Sequence, residues 1–315
     1  MSLTIGDIDA IPGERWFPKE TSFSEDMMEI WGDWGVSSEV EPLKAVLMHR
    51  PGKEIEDFDY SQARFREPVD PVKIRQQHDA LADVYRRNGV TVYYVEDQLK
   101  DRPNALFVRD LMFMTPEGAI VTRPAMNERR GEEKAVHKTL AALGIPILST
   151  IHGNGIFEGA NAMWVDRETV ILATGSRTNR CGFEQVDATL RRMGVNQVIH
   201  MQIPYGHAHI DGLLNLASHD TAMIHPPQVP YDVCEALIKK GFQILETPSQ
   251  TEAKETFGVN FVAIKPGLVV QPEGNPRCRA VLEKNHIQVV PVQVDEIMKG
   301  WGAIHCVTAF LKRSE

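Results

Sequence analysis

Along the chain, helix-like segments stop at a breaker and a short apolar run follows. The handover occurs five times: "VYRRNG/VTVYYV", "LAALG/IPILST", "LRRMG/VNQVIHM", "LIKKG/FQILET" and "LEKNH/IQVVPV". The breaker is Gly in four copies and Asn-His in the last, which is a helix C-cap signal. The β-branched and aromatic residues after it predict a buried strand. Each helix is preceded by strand signals of its own. "LMFMTPEGAIVTRP" predicts strand, Pro-Glu-Gly turn, strand; "AMWVDRETVILATG", "LLNLASHDTAMIHP" and "FVAIKPGLVVQP" repeat the plan, and "AVLMHRPG" gives a shortened first copy. The unit is therefore strand, turn, strand, helix, strand, repeated at a spacing of roughly 45 residues.

Such a unit cannot bury both faces of its small sheet alone. Five can close into a ring, strands towards the centre and helices outside. The predicted fold class is α/β, a propeller-like ring of strand-strand-helix-strand repeats. A doubly wound sheet would need single strands alternating with helices, which the hairpins contradict. Neither GxGxxG after the first strand nor GxxxxGK[ST] occurs, so a nucleotide-binding fold is disfavoured.

Composition narrows the picture. The chain has 315 residues, 43% hydrophobic and 24% charged, enough for a large core. A single domain over 1–315 is expected, with residues 1–40 as an N-terminal extension packed on it. The net charge of −9 argues against nucleic acid or an anionic membrane as partner. No run of about 18 apolar residues predicts a membrane span. The start, "MSLTIGDIDAIPGERW", lacks the basic and apolar regions of a signal peptide. Four scattered cysteines, Cys181, Cys234, Cys278 and Cys306, without CxxC pairing, predict reduced thiols in a cytoplasm, neither a disulfide framework nor a zinc site.

Four polar segments and one cysteine carry candidate chemistry. In "GHAHIDG" (206–212), extended backbone would put His207, His209 and Asp211 on one face, pairing an acid/base with a carboxylate; the bland alternative is a polar loop. His-x-His also occurs as a metal-ligand pair, though here it lies late in a chain of hairpin repeats. "HGNGIFEGANAMW" (152–164) sets Glu158 between an apolar pair and Gly159, facing a cavity or, blandly, solvent. "RPNALFVRDLMFM" (102–114) carries Asp110 at the entry to an apolar strand, with Phe107 three residues before. That carboxylate either awaits a cation or forms a surface edge with Arg109. Arg177 in "TGSRTNRCG" (174–182) suits bidentate binding of a carboxylate, or is a solvated loop arginine. Cys306 in "KGWGAIHCVTAFLKR" follows a Gly-x-Gly turn. Taken alone it reads as a buried small hydrophobe, since reactivity needs a lowered thiol pKa or a basic partner.

The order Asp, Glu, His-x-Asp, Cys, each at the edge of a separate repeat, resembles the guanidino-group-modifying enzymes, or penteins. These include arginine deiminase, dimethylarginine dimethylaminohydrolase, agmatine deiminase and the amidinotransferases. The resemblance runs from "LKAVLMHRPG" (43–52) to "GAIHCVT" (302–308). It implies a five-bladed α/β propeller with pseudo-fivefold symmetry, in agreement with the repeats. It also implies Cys306 as nucleophile, His209 as general acid/base, and Glu158 as the carboxylate that supports His209 and holds a guanidinium nitrogen. Asp110 and Asp211 become the other guanidinium-binding carboxylates, Phe107 a stacking face and Arg177 the partner of a substrate carboxylate.

The implied activity is a cysteine hydrolase acting on arginine or an N-substituted arginine through a covalent S-alkylthiouronium, with neither metal nor organic cofactor. The alternative is an amidinotransferase with the same residues. The expected partner is a small guanidino molecule; a homodimer is left open. Subfamily signals diverge: "EGAN" replaces the Glu-Gly-Gly-Asp common in deiminases, and "IHC" looks like agmatine deiminases and amidinotransferases. Two further readings compete, a metal-dependent amidohydrolase and a non-catalytic ring protein akin to a ribosome-associated initiation factor.

Overall fold

Every predicted hairpin forms. The computed structural model describes residues 20–314; the segment read above for a signal peptide, and the first part of the predicted N-terminal extension, lie outside the described residues. Strands β3 (Met112–Thr115) and β4 (Gly118–Val121) pair antiparallel, as do β6 (Ala162–Asp166) with β7 (Thr169–Thr174), β9 (Leu214–Ser218) with β10 (Thr221–Ile224), and β12 (Val262–Lys265) with β13 (Leu268–Pro272). A helix follows each hairpin: α2 (Glu132–Ala142), α3 (Arg180–Arg192), α4 (Tyr231–Lys239) and α5 (Pro276–Lys284). The chain then returns parallel to the second strand as β5 (Ile147–Thr150), β8 (Gln197–Gln202), β11 (Gln243–Glu246) or β14 (Gln288–Val292).

The helix ends behave as the pattern predicts. Gly89, Gly144, Gly194 and Gly241 stand after their helices at φ of +77°, +75°, +88° and +91°, the left-handed conformation that ends a helix. In the last copy His286 takes the same role at φ +64°. Asp70 caps α1 (Pro71–Arg87), accepting from the backbone N–H of Val72 and Lys73 at 2.8 and 3.1 Å.

The shortened first copy has a structural reason. Its sheet holds β1 (Leu43–Met48) and β2 (Thr91–Tyr94), and the third strand comes from the far end of the chain. β15 (Ala309–Arg313) pairs antiparallel with β1. Successive sheets touch one another, β15 against β3, the turn before β6 against β3 and against the turn before β9, β12 against β9, and β1 against β12, so the ring closes. The strands β3, β6, β9, β12 and β15 are almost wholly buried, whereas β2, β5, β8, β11 and β14 are half-exposed. The former therefore surround the centre and the latter form the outside. Between sheets and helices lies the core, where the middle strands bury Val46, Ile120, Val170, Met223 and Val269 completely. Among the described residues, no helix is long and apolar enough to cross a membrane. All four cysteines are free.

Candidate active site

Chemistry-bearing residues sit just ahead of the five central strands. Asp110 lies in a 3-10 turn, Val108–Leu111, directly before β3. Glu158 precedes the turn Gly159–Asn161 before β6. His209 and Asp211 flank and occupy the turn Ile210–Gly212 before β9, so this segment is a turn rather than the extended run considered above. Asn260 precedes β12, and Cys306 precedes β15. Ring closure brings these five loops together at one end of the central channel. They open on a cavity of about 1500 Å³ lined by Phe107, Asp110, Arg177, His209, Asp211 and Cys306, among others.

Six of the seven residues to which the resemblance gives a role thus share one cavity. The seventh, Glu158, is completely buried behind it. Its Oε2 meets His209 Nε2 at 2.6 Å, its Oε1 accepts the Ala125 N–H at 2.9 Å, and Arg177 Nη1 donates to both oxygens at 3.2 and 3.1 Å. In this structure Glu158 therefore faces His209 rather than the cavity, and Arg177 is tied to Glu158. Burial works against the His209 charge, but Asp110 and Glu158 outweigh it and hold the imidazole above its ordinary 6.5. Burial also works against the Glu158 charge, yet the His209 hydrogen bond and the Arg177 charge keep its carboxyl well below the usual range.

Asp110 and Arg109 are both buried, so the surface-edge reading fails. One oxygen of Asp110, Oδ2, accepts from Arg129 Nη1 at 2.5 Å. The other, Oδ1, has no hydrogen-bond partner and lies 3.6 Å from His209 Nδ1. Arg129 is itself buried and clamped, with Nε on Glu132 at 2.9 Å and Nη2 on the carbonyls of Asn104 and Phe107. A buried acceptor without a hydrogen bond is costly; this one has the His209 ring as its ion-pair neighbour and still lacks a hydrogen-bond donor.

Around the sulfur, Asp211 Oδ2 accepts from Cys306 Sγ at 3.4 Å and from His305 Nδ1 at 2.8 Å. His305 Nε2 meets Glu39 Oε1 at 2.6 Å. With a carboxylate on each nitrogen, both must carry protons, so His305 is an imidazolium. Although burial opposes it, these two partners hold its pKa above 6.5, and the His305 pairing in turn brings the buried Asp211 down to about 2. Burial, then the charges of Asp211 and Asp110, push the Cys306 thiol well above its ordinary 9.0. In the empty site Cys306 is therefore a neutral thiol.

The Gly-x-Gly turn has a steric cause. A Cβ on Gly302 would stand 2.4 Å from Phe107 Cε1, and one on Gly300 2.7 Å from Phe107 Cζ. Only glycine lets this turn lie against the Phe107 ring, which sits 4% exposed in the cavity wall. Asp110, Glu158 and His209 could in principle converge on a metal, their ligand atoms lying within 4.8 Å of one another. Arg177 already donates to both oxygens of Glu158, and the raised His209 pKa favours a ring with no lone pair to offer, which disfavours a metal there.

Arg129, Glu39, His305 and Asn260 were not singled out in the sequence. Arg129 and Glu39 carry no local signal, because their partners lie far along the chain. His305 stood visible in "IHC", and Asn260 occupies the strand-start position at which the other loops carry their chemistry.

The profile of the family described as N,N dimethylarginine dimethylhydrolase, eukaryotic, matches residues 54–313. The N(G),N(G)-dimethylarginine dimethylaminohydrolase of Pseudomonas aeruginosa is 22% identical, over 84% of this chain and 98% of that protein. An arginine deiminase of Limosilactobacillus reuteri is 20% identical, over 89% and 98%. Among solved structures, the inosamine-phosphate amidinotransferase StrB1 of Streptomyces griseus superimposes with a TM-score of 0.71 at 16% identity, covering 90% of this chain and 97% of its own. This likeness shows a common fold, the five-bladed α/β propeller.

Proposed function

Because the chain belongs to the N,N dimethylarginine dimethylhydrolase family, within the pentein superfamily of guanidino-modifying enzymes, we propose that it is a cysteine hydrolase acting on the guanidino group of arginine or an N-substituted arginine. The observation that carries this reading is that Asp110, whose Oδ1 makes no hydrogen bond, lines one cavity with Asp211, His209 and Cys306. A planar cation with several N–H donors meets two carboxylates in register by charge-assisted hydrogen bonds. Phe107 supplies an aromatic wall for the guanidinium plane.

The substrate's positive charge replaces the thiol proton, which leaves to solvent, and the Cys306 thiolate adds to the central carbon. His209, held as an imidazolium by Glu158, gives its proton to the departing amine as the C–N bond breaks. A covalent S-alkylthiouronium remains on Cys306. The now neutral His209 takes a proton from water and hydroxide adds to the carbon; the C–S bond then breaks to release the thiolate, and the new hydroxyl gives its proton to that sulfur, leaving a thiol and a urea-type product. Glu158 acts through His209, as a positioning residue. Arg177 holds Glu158 and offers its remaining N–H groups to a substrate carboxylate.

A second reading is amidino transfer, in which an amine takes the place of water. It is favoured by the cavity of about 1500 Å³, which exceeds the roughly 300–1,000 Å³ usual for small-molecule sites and leaves room for an acceptor. One experiment separates the two. Arginine, methylated arginines and agmatine are incubated singly, with and without amine acceptors, and urea-type product and released amine are both measured. Hydrolysis yields a urea-type product without any acceptor and none in Cys306→Ser. New guanidino product formed only with an acceptor would replace it by transfer, and full activity in Cys306→Ser would sink both.

A further inference from the structure

The loop before β12 is the one strand-start loop that supplies nothing to the chemistry just described. It holds Asn260, 1% exposed. Asn260 Oδ1 accepts from the backbone N–H of His305 at 2.9 Å and of Cys306 at 3.4 Å. Its Nδ2 donates to the Asp211 carbonyl at 3.2 Å and to Cys306 Sγ at 3.2 Å. These partners fix which way the amide points. Flipped, the NH₂ would face two N–H donors and the oxygen would face a carbonyl, so three contacts would turn repulsive. One N–H is thereby aimed at the sulfur by a side chain that cannot rotate away.

We propose that Asn260 is a catalytic residue: its Nδ2–H donates to Cys306 Sγ, stabilises the thiolate that attacks, and stabilises the same sulfur again as it leaves carbon. The proposal rests on Cys306 being the nucleophile. Most of the sulfur's surroundings oppose ionisation. It is buried, and Asp211 Oδ2 at 3.4 Å accepts a hydrogen bond that only the neutral thiol can give. Once a guanidinium takes up Asp211 and Asp110, a donor already in place on the sulfur favours the charged form. Both the Asn260 hydrogen bond and the Ala303 backbone lower the thiol pKa, and of these only the Asn260 donor can be removed by substitution. The position agrees with the ring: Asn260 stands before β12 as Asp110 stands before β3 and Cys306 before β15.

The test is the pH dependence of iodoacetamide alkylation of the full chain, read at the Cys306 peptide by mass spectrometry so that the other three thiols do not contribute. Asn260→Ala raises the apparent Cys306 pKa by about one unit, slowing alkylation at neutral pH by roughly 10-fold. Asn260→Asp keeps the shape and the acceptor for the His305 N–H but exchanges the donor for a carboxylate, so it raises the pKa further than Ala does. Melting temperature is followed in both. A raised thiol pKa in a native-like Asn260→Ala protein, and a higher one in Asn260→Asp, supports a donor acting on sulfur. A wild-type thiol pKa in a folded Asn260→Ala, whatever Asn260→Asp shows, would mean a merely structural role and overturn the proposal. If wild-type Cys306 resists alkylation at every pH, the nucleophile itself is misassigned and the proposal falls with it.

Discussion

Glu158→Gln isolates the support given to His209. The substitution is nearly isosteric, and its amide oxygen can still accept the Ala125 N–H that Glu158 Oε1 accepts at 2.9 Å. The amide nitrogen then faces His209 Nε2, where Oε2 stood at 2.6 Å. An NH₂ cannot accept from an imidazolium, so the neutral ring, which offers a lone pair there, becomes the favoured form. A buried hydrogen bond to a charged group contributes about 1.5–3 kcal/mol, equivalent to roughly 1–2 pKa units. The wild-type His209 pKa lies above 6.5 because Asp110 and Glu158 outweigh burial, so removing one of those carboxylates moves it down. The acid needed for the departing amine is then lost at lower pH. The alkaline limb of kcat shifts down by about 1–2 units, and above both pKa values the rate falls roughly 10- to 100-fold. The linked stability has a matching sign. A raised folded-state pKa stabilises the fold below about pH 6.5 and ceases to do so as pH rises through the raised value, so the variant loses most melting temperature on the acid side. Initial rates of urea-type product from pH 5.5 to 9.5, beside melting curves over that range, measure both. An alkaline limb unchanged from wild type, in a folded variant, would refute the assignment of Glu158 as the group that keeps His209 protonated.

Two further outcomes follow from contacts around the same cavity. Gly302→Ala places a methyl 2.4 Å from the Phe107 ring and 3.1 Å from Cys306 Cβ, so the turn moves off the ring; a urea melt should show a loss of about 1–3 kcal/mol, with slower alkylation of Cys306. Arg129→Met leaves the buried Asp110 and Glu132 without their shared cation. Burial already lifts the Glu132 carboxyl to about 8 with Arg129 in place, so the uncompensated charge falls on Asp110, and chemical denaturation should report a loss of about 3–5 kcal/mol, together with a raised KM for the guanidino substrate.

What the sequence reveals here is local. A Gly or His286 in the left-handed conformation and a Pro-Gly or Asp-Arg-Glu turn act within a few residues, so five handovers and four full hairpins can be read directly. The pairing of β1 with β15 joins residues about 265 positions apart (Val46 with Phe310), and no local pattern announces it; the first repeat therefore looked shortened. The same division runs through the site. Cys306, His209, Asp110 and Asp211 are legible because each is a single reactive residue at a strand start. The partners that give them their charge states, Arg129 for Asp110 and Glu39 for His305, are fixed only when the ring closes. Asn260 was missed because a neutral amide raises no alarm, although its place ahead of "FVAIKPG" is the place where each other repeat carries its reactive residue.

The charges explain how the proposed nucleophile can be set among carboxylates, an arrangement that opposes its ionisation. Asp211 and Asp110 disfavour a third negative charge, so the empty site keeps sulfur protonated. A guanidinium brings one positive charge to those same oxygens. Loss of the thiol proton then restores the charge that the site held when empty. The cation that orients the electrophilic carbon is thus the cation that permits the thiolate, and nucleophile and target appear together. Asp110 and Asp211 also favour the His209 charge, but its hydrogen bond goes to Glu158 behind the wall, and that contact remains after sulfur has lost its proton. Two ionisations of opposite sense, a thiol that must lose a proton and an imidazole that must keep one, can coexist within a single cavity because the carboxylates around them are paired differently: Asp110 Oδ1 makes no hydrogen bond, whereas Glu158 is closed on His209.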